Sequence, residues 1–280
     1  MNYGLRMRQI IGILTFLSLL QSPLLFSQVE IKLPERGICA HRGANETHPE
    51  NTLAAFKEAV RLGAHMVEFD VQITKDKYLV IMHDKLVDRT TDGKGLINEL
   101  TLAEIKELDA GSWKSQKFKG EKVPTLKEAL AVFPKNIWLN IHLKGNKDLG
   151  KATAKVLISE GRIHQGVIAC GNKAASGVKN VSRRIMICNM ERQSDRNQYI
   201  QKTIQGNYPF IQLLKKRNDD RLQDDITILR KNKVKINYYF GDAEIEVKEL
   251  FDLGVDFVLT NKLDQMLTVA EQMGINRLNQ

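Results

Sequence analysis

The stretch 66-MVEFDVQITKDKYLVIMHD-84 decides how the chain is read. In its first part Val67, Phe69 and Val71 fall on one side of an extended strand, and Glu68 and Asp70 on the other. A second strand-like run, 78-YLVIMHD-84, follows after only 74-TKDK-77. A parallel crossover needs about a dozen residues. The second run must therefore turn back as the antiparallel arm of a hairpin.

Working outward, short apolar strands alternate with helix-length segments. The strand candidates are 37-GICAHR-42, 66-MVEFDV-71, 137-IWLNIHLK-144, 166-GVIAC-170, 185-IMICNM-190, 210-FIQLL-214, 235-KINYYF-240 and 257-FVLT-260. Between them, 50-ENTLAAFKEAVRLG-63 and 243-AEIEVKELFDLG-254 show helical periodicity and end at glycine. With the hairpin arm set aside, eight strands remain, and the alternation predicts a (β/α)8 TIM barrel. Residues 85–123 read as one inserted segment after the hairpin, with 101-TLAEIKELD-109 as a short helix. No heptad, repeat or low-complexity tract interrupts residues 28–280, which read as one domain.

The first 27 residues read as targeting rather than fold. MNYGLRMR is a basic leader, IIGILTFLSLL an apolar core and SPLLFSQ a break, with cleavage expected near Ser27. The apolar run is short for a spanning helix, which takes about 20 residues. The expectation is a signal peptide and an exported protein, periplasmic or secreted, with no stable membrane span after cleavage; an uncleaved anchor is the alternative.

Net charge is +9. The densest basic runs, 214-LKKRNDDR-221 and 229-LRKNKVK-235, are broken by acids or apolar residues and read as solvated faces, so no nucleic-acid partner is expected. An anionic small substrate suits the excess equally. The cysteines Cys39, Cys170 and Cys188 sit inside apolar strand-like segments, the usual place of buried thiols. Oligomeric state is left open.

In a (β/α)8 barrel the functional residues gather at the C-terminal ends of the strands. That rule brings together His41 and Arg42, Glu68 and Asp70, His83 at the end of the hairpin arm, and His142 and Lys144 on the third parallel strand. Glu68 and Asp70, two apart on a strand, point the same way, so a cation between them relieves their repulsion. A hard divalent ion fits; ion pairs with Arg42 or Lys144 fit as well. His41 and His83 suit an acid/base pair, and Arg42 and Lys144 suit a phosphate.

The ordered pattern 41-HRGANETHPENTLAAFKEAVRLGAHMVEFDVQITKD-76, 83-HDKLVDRTTDGKG-95 and 124-PTLKEAL-130, with a weaker return at 254-GVDFVLTN-261, resembles the glycerophosphodiester phosphodiesterase family. The resemblance implies hydrolysis of a small-molecule glycerophosphodiester to glycerol 3-phosphate and an alcohol. It makes His41 and His83 the general acid/base pair, and gives the phosphate to Arg42 and Lys144. One divalent metal ion, Mg or Ca, would lie on Glu68 and Asp70, with Glu50 orienting Arg42 or completing the metal site.

Two departures from the family pattern stand out. His142 occupies the place of a glutamate metal ligand; an imidazole there favours a borderline ion such as Mn or Zn, and a weakened Mg or Ca site or a silent phosphodiester-binding barrel are the alternatives. Late in the chain, 238-YYFGD-242 stands where the family has a tryptophan, so Tyr238 or Tyr239 is expected to wall the substrate site. A different head group, or a lyase outcome stopping at a cyclic phosphate, stays open.

Overall fold

The computed structural model describes residue 1, residues 31–192 and residues 195–279. The leader sequence lies outside the described residues. Eight parallel strands close into a barrel: β1 (Gly37–His41), β2 (Met66–Ile73), β4 (Trp138–Leu143), β5 (Gly166–Cys170), β6 (Met186–Asn189), β7 (Phe210–Leu214), β8 (Lys235–Tyr239) and β9 (Phe257–Thr260), with β9 and β2 both pairing with β1. The remaining strand, β3 (Leu79–Ile81), is the antiparallel hairpin arm. Helix α1 (Leu53–Arg61) links β1 to β2, and α2 (Leu102–Glu107) and α3 (Leu126–Val132) lie between β3 and β4. After β4 the helices follow strand by strand: α4 (Lys147–Ser159), α5 (Asn172–Val181), α6 (Arg196–Gln205), α7 (Leu222–Lys231), α8 (Glu244–Leu253) and α9 (Leu263–Gln272). The barrel and its hairpin are as the strand spacing predicts.

The hairpin fits because β1 is short. It pairs with β2 only as far as His41 opposite Glu68. From Val71 onward β3 takes over, with Val71 opposite Ile81 and Ile73 opposite Leu79. The backbone N–H of Met82 donates to the Asp70 carbonyl at 3.0 Å, which delivers His83 beside the carboxylate strand.

Strand alternation separates two cores. Val67, Phe69, Val71, Leu139 and Ile141 point outward into the layer beneath the helices, where Phe69 stacks on Phe133 at 5.6 Å between ring centroids. Inward-facing Cys39, Met66, Trp138, Val167, Cys188, Phe210 and Phe257 fill the barrel floor. Trp138 finds a partner for its indole N–H in the Pro34 carbonyl at 2.8 Å, as a buried tryptophan needs. All three cysteines are free and buried. Above the floor the inward positions turn polar, with Glu68, Asp70, Asn140 and Gln212 all buried.

The insertion packs against the hairpin arm in a small core of its own, Val80 and Met82 with Val87, Ile97, Ile105, Ala110 and Val123. The expected helix is α2, opened by a capping box in which the Thr101 hydroxyl accepts from the Glu104 N–H and Glu104 reaches back to the Thr101 N–H. The α1 helix starts later than its periodicity suggests, because Thr52 is its N-cap and leaves Glu50 and Asn51 in the loop ahead of it. Glycines let α4 and α5 touch: a β-carbon on Gly177 would lie 2.0 Å from the Lys147 carbonyl oxygen. Among the described residues, no helix is long and apolar enough to cross a membrane.

Candidate active site

The C-terminal end of the barrel opens into a cavity of about 180 Å³, and His41, Arg42, Glu68, Asp70, His83, His142, Lys144 and Tyr239 all line it. The strand-end rule therefore brings together every residue expected there except Tyr238 and Glu50. The histidines, the two carboxylates, Arg42 and Lys144 come from one arc of the barrel, β1, β2, the hairpin arm and β4.

Asp70 is fully buried. Its Oδ2 accepts from the Asn51 side-chain amide at 3.0 Å and lies 3.5 Å from Arg42 Nε. Its Oδ1 faces the mouth, 3.2 Å from both His142 Nδ1 and Lys144 Nζ, yet accepts no well-aligned hydrogen bond among the described residues. Burial works to raise this carboxyl's pKa, but His142, Lys144 and Arg42 outweigh it and hold the group well below the usual carboxylate range. One Glu68 oxygen accepts from the Arg42 N–H at 3.0 Å, and the other lies 3.7 Å from His142 Nδ1. Burial opposes charge on His142 as well, and the facing carboxylates Asp70 and Glu68 prevail, raising its pKa.

Glu68, Asp70 and His142 each offer one ligand atom, all within 4.8 Å of one another. An orphaned, ionised oxygen next to a second carboxylate and an imidazole fits a divalent cation. These three residues, rather than Glu50, could hold it.

The two remaining histidines have fixed tautomers. The Asn261 amide nitrogen donates to Asp242 Oδ2 at 3.1 Å, so its Oδ1 is an acceptor. That oxygen receives His41 Nδ1 at 2.7 Å and the Asn45 amide at 2.8 Å. Nδ1 of His41 is therefore the donor in that contact, which leaves Nε2 as the nitrogen free to exchange a proton; Nε2 lies 4.0 Å from Glu68. His83 Nδ1 meets Asp84 Oδ1 at 2.6 Å, which likewise places the proton on Nδ1 and frees Nε2. Gln72 steadies the His83 turn by donating to the carbonyls of Met82 and His83 at 3.0 and 3.3 Å, and to that of Asp84.

Arg42 has a left-handed backbone, φ 54°, which an arginine adopts at some strain unless held. The Glu68 carboxylate holds its N–H, and Glu50 holds its guanidinium at 2.7 Å. Glu50 is thus tied to two guanidinium groups, those of Arg42 and Arg89. Arg89 of the insertion donates to both Glu50 oxygens, at 2.7 and 3.0 Å. Burial raises the pKa of Glu50, and the Arg89 and Arg42 charges more than reverse that.

The late tyrosines part company. Tyr239 faces inward, its ring edge-on to His41 at 5.5 Å. Tyr238 points the other way, fully buried in the layer under the helices, with its hydroxyl accepting from the Asn218 side chain. Neighbours on a strand cannot share a face, so the expected wall is Tyr239 and the assignment of Tyr238 to the substrate is corrected. Asn261, Asp242, Arg89, Asp84 and Gln72 were not marked as site residues by the sequence. Asn261 and Asp242 follow β9 and β8, where the strand-end rule also points.

Residues 41–223 match the model of the glycerophosphoryl diester phosphodiesterase family. A glycerophosphodiester phosphodiesterase of Bacillus subtilis is 30% identical over 80% of this chain and 83% of its own length. One of Caldanaerobacter subterraneus is 51% identical over 38% of this chain, a match that spans only 44% of that protein. A further Bacillus subtilis relative is likewise matched over 45% of its length. Among solved structures, an Oleispira antarctica phosphodiesterase in complex with the product sn-glycerol-3-phosphate superposes with a TM-score of 0.75 at 27% identity, covering 84% of this chain and 96% of that one. The chain belongs to the glycerophosphoryl diester phosphodiesterase family.

Proposed function

We propose that the protein hydrolyses glycerophosphodiesters to glycerol 3-phosphate and an alcohol, using His41 and His83 as acid and base. The observation that carries this reading is the pair of imidazoles lining one cavity, each with Nδ1 committed to a fixed acceptor and Nε2 free for proton transfer. The Oleispira relative's product complex supports the choice of substrate.

Arg42 and Lys144 bind the phosphate oxygens, the first as a planar fork and the second as a point charge. A divalent cation on Glu68, Asp70 and His142 would supply positive charge to offset the negative charge that gathers on the phosphoryl oxygens; Mg and Ca follow from the family, Mn and Zn from His142. One histidine takes the proton of the attacking hydroxyl, either the neighbouring glycerol hydroxyl or water. As the new P–O bond forms, the bond to the leaving oxygen breaks and the other histidine protonates it. If the glycerol hydroxyl attacks first, water opens the cyclic phosphate and the same pair returns its protons. Tyr239 closes the apolar side.

The test is turnover of glycerophosphocholine by metal-stripped protein re-supplied separately with Mg²⁺, Ca²⁺, Mn²⁺ and Zn²⁺, beside His41→Ala and His83→Ala. Metal-restored turnover that both variants lose, at unchanged melting temperature, supports the reading. Equal turnover by wild type and variants sinks it. We also propose that the first 27 residues direct export; N-terminal sequencing of the protein from cell fractions decides this.

A further inference from the structure

The catalytic groups occupy one arc of the mouth, and the opposite arc, built by the ends of β6, β7 and β8, carries a charge pattern that a simple phosphodiester does not use. Arg192 follows β6, Gln212 lies on β7, and Lys216 follows β7; all three line the same cavity as Arg42 and Lys144. Around the whole cavity four fixed cations face two carboxylates, Glu68 and Asp70. A phosphodiester brings a single negative charge.

Among the described residues the two far cations lack acidic partners. Among the described residues no carboxylate comes within ion-pair distance of Arg192 or Lys216, whereas the adjacent Lys215 pairs with Glu246 at 2.8 Å and Arg196 is held by Asp225 at 2.5 Å. Arg192 Nη2 donates to Gln212 Oε1 and lies 3.5 Å from Met190 Sδ. Its Nε is buried with no partner among the described residues. With its oxygen taken, Gln212 offers the cavity its amide N–H groups. A guanidinium, an ammonium and an amide donor thus line the wall of the cavity across from Arg42 and Lys144, where the alcohol of a phosphodiester held by those two residues would reach. Arg192 is half-buried, and an uncompensated cation there is costly unless an anion arrives, while the exposed Lys216 adds a second charge at the rim.

We infer that the Arg192–Gln212–Lys216 arc binds an anionic group on the leaving alcohol, so that the preferred substrates are glycerophosphodiesters whose head group carries a further phosphate or carboxylate. This rests on the phosphodiesterase reading above and adds the leaving-group class to it.

The deciding comparison is the matched pair glycerophosphoinositol and glycerophosphoinositol 4-phosphate, which differ only in the added anion. For the whole chain, kcat/KM is measured on each, and calorimetry gives the Kd of each with the metal-stripped protein. The wild type is expected to favour the phosphorylated ligand by roughly tenfold or more in both readouts. The Arg192→Gln/Lys216→Gln double variant brings both ratios close to one. Lys216→Gln alone, at an exposed position, repeats the test with part of the effect if the double variant folds poorly. A wild-type ratio near one, or a preference that survives both substitutions, overturns the assignment. Hydrolysis of neither ligand counts against the phosphodiesterase reading alone, because the calorimetric ratio still decides whether this arc takes an anion.

Discussion

Asp84 bridges His83 and Arg89: Oδ1 lies 2.6 Å from the imidazole Nδ1 and Oδ2 lies 2.5 Å from the guanidinium Nε. Arg89 spends its other two nitrogens on Glu50, which in turn holds Arg42. One chain of charges thus joins His83, the proposed proton-transferring group, to Arg42, the proposed phosphate-binding group, through a residue of the insertion. Hydrogen bonding to Arg89 is the main reason the Asp84 carboxyl is held down to about 2, with burial opposing and His83 adding to the effect.

That chain makes Asp84 and Arg89 positioning residues. Asp84→Asn can present an amide N–H₂ to His83 and so select the wrong tautomer; kcat is expected to fall by about 10²-fold or more. Arg89→Gln leaves Asp84 in place but loosens both ends of the chain, and a loss of about 10–100-fold is expected, shared between kcat through His83 and KM through Arg42. A change confined to melting temperature, with both kinetic constants intact, rules out the positioning role.

On the other side of the mouth, Asn261 fixes His41. Asn261→Leu removes the acceptor for Nδ1–H, lets the ring exchange tautomers and is expected to cut kcat/KM by about tenfold or more. Asn261→Asp keeps an acceptor and is expected to retain more activity than the leucine variant. Reversal of that order, measured on one substrate at one pH, contradicts the tautomer assignment.

How much of this was legible beforehand depends on which signal carried it. The hairpin and the eight strands were legible because 74-TKDK-77 is too short for a crossover and because alternation marks each strand. Glu68, Asp70, His142 and Lys144 were legible because period two puts them on the polar face. Tyr238 and Tyr239 were not separable, since both are aromatic and adjacent, and only register shows that Tyr239 sits inside and Tyr238 outside. Arg89 was within a quoted motif, but its partner Glu50 is 39 residues away, and no periodicity relates a loop residue to another loop. Asp242 and Asn261 do not line the cavity and reach it through the contact with His41, so their own residue types announce nothing.

Packing supplies a stability prediction away from the mouth. Gly150 and Gly177 sit where α4 and α5 meet, and a β-carbon at Gly150 would lie 2.1 Å from the Ala174 carbonyl oxygen. Backbone cannot yield as a flexible side chain does. Gly150→Ala is expected to cost about 1–3 kcal/mol by overpacking, seen in chemical denaturation, with kcat unchanged because α4 and α5 supply no group to the cavity. An unaltered midpoint contradicts the close approach.

The pH dependence of the metal-free protein follows from His142. Its folded pKa is raised above the ordinary value, since Asp70 and Glu68 outweigh burial. The stabilisation from the charged imidazole is therefore fully present below the unfolded value of about 6.5 and is lost as pH rises through the higher folded value. Denaturation midpoints of metal-stripped wild type are expected to fall across that window, and those of His142→Gln to stay flatter. Cation binding must displace the same proton, so the affinity for a divalent ion is expected to climb with pH over the same range.

His142 is also expected to bias which ion is held. With Glu68 and Asp70 it makes a donor set of two carboxylates and one imidazole, and imidazole suits Mn²⁺ or Zn²⁺ better than Ca²⁺. His142→Glu replaces a neutral ligand with a third carboxylate, which adds negative charge beside Asp70 and suits the hard ions. Wild type is expected to bind and use Mn²⁺ or Zn²⁺ in preference to Ca²⁺, and the variant to shift toward Mg²⁺ and Ca²⁺ by about tenfold or more in relative Kd. Calorimetric Kd values for the four ions, measured on both proteins at one pH, give the answer independently of turnover. If the order of the four ions is the same in both proteins, His142 lies beside the ion rather than on it, and its role is the 3.2 Å contact with Asp70. If the order shifts while turnover on glycerophosphocholine appears only in the variant, the histidine binds metal but withholds this substrate's chemistry, and the search for the natural substrate moves to the anionic head groups that the opposite arc of the barrel selects.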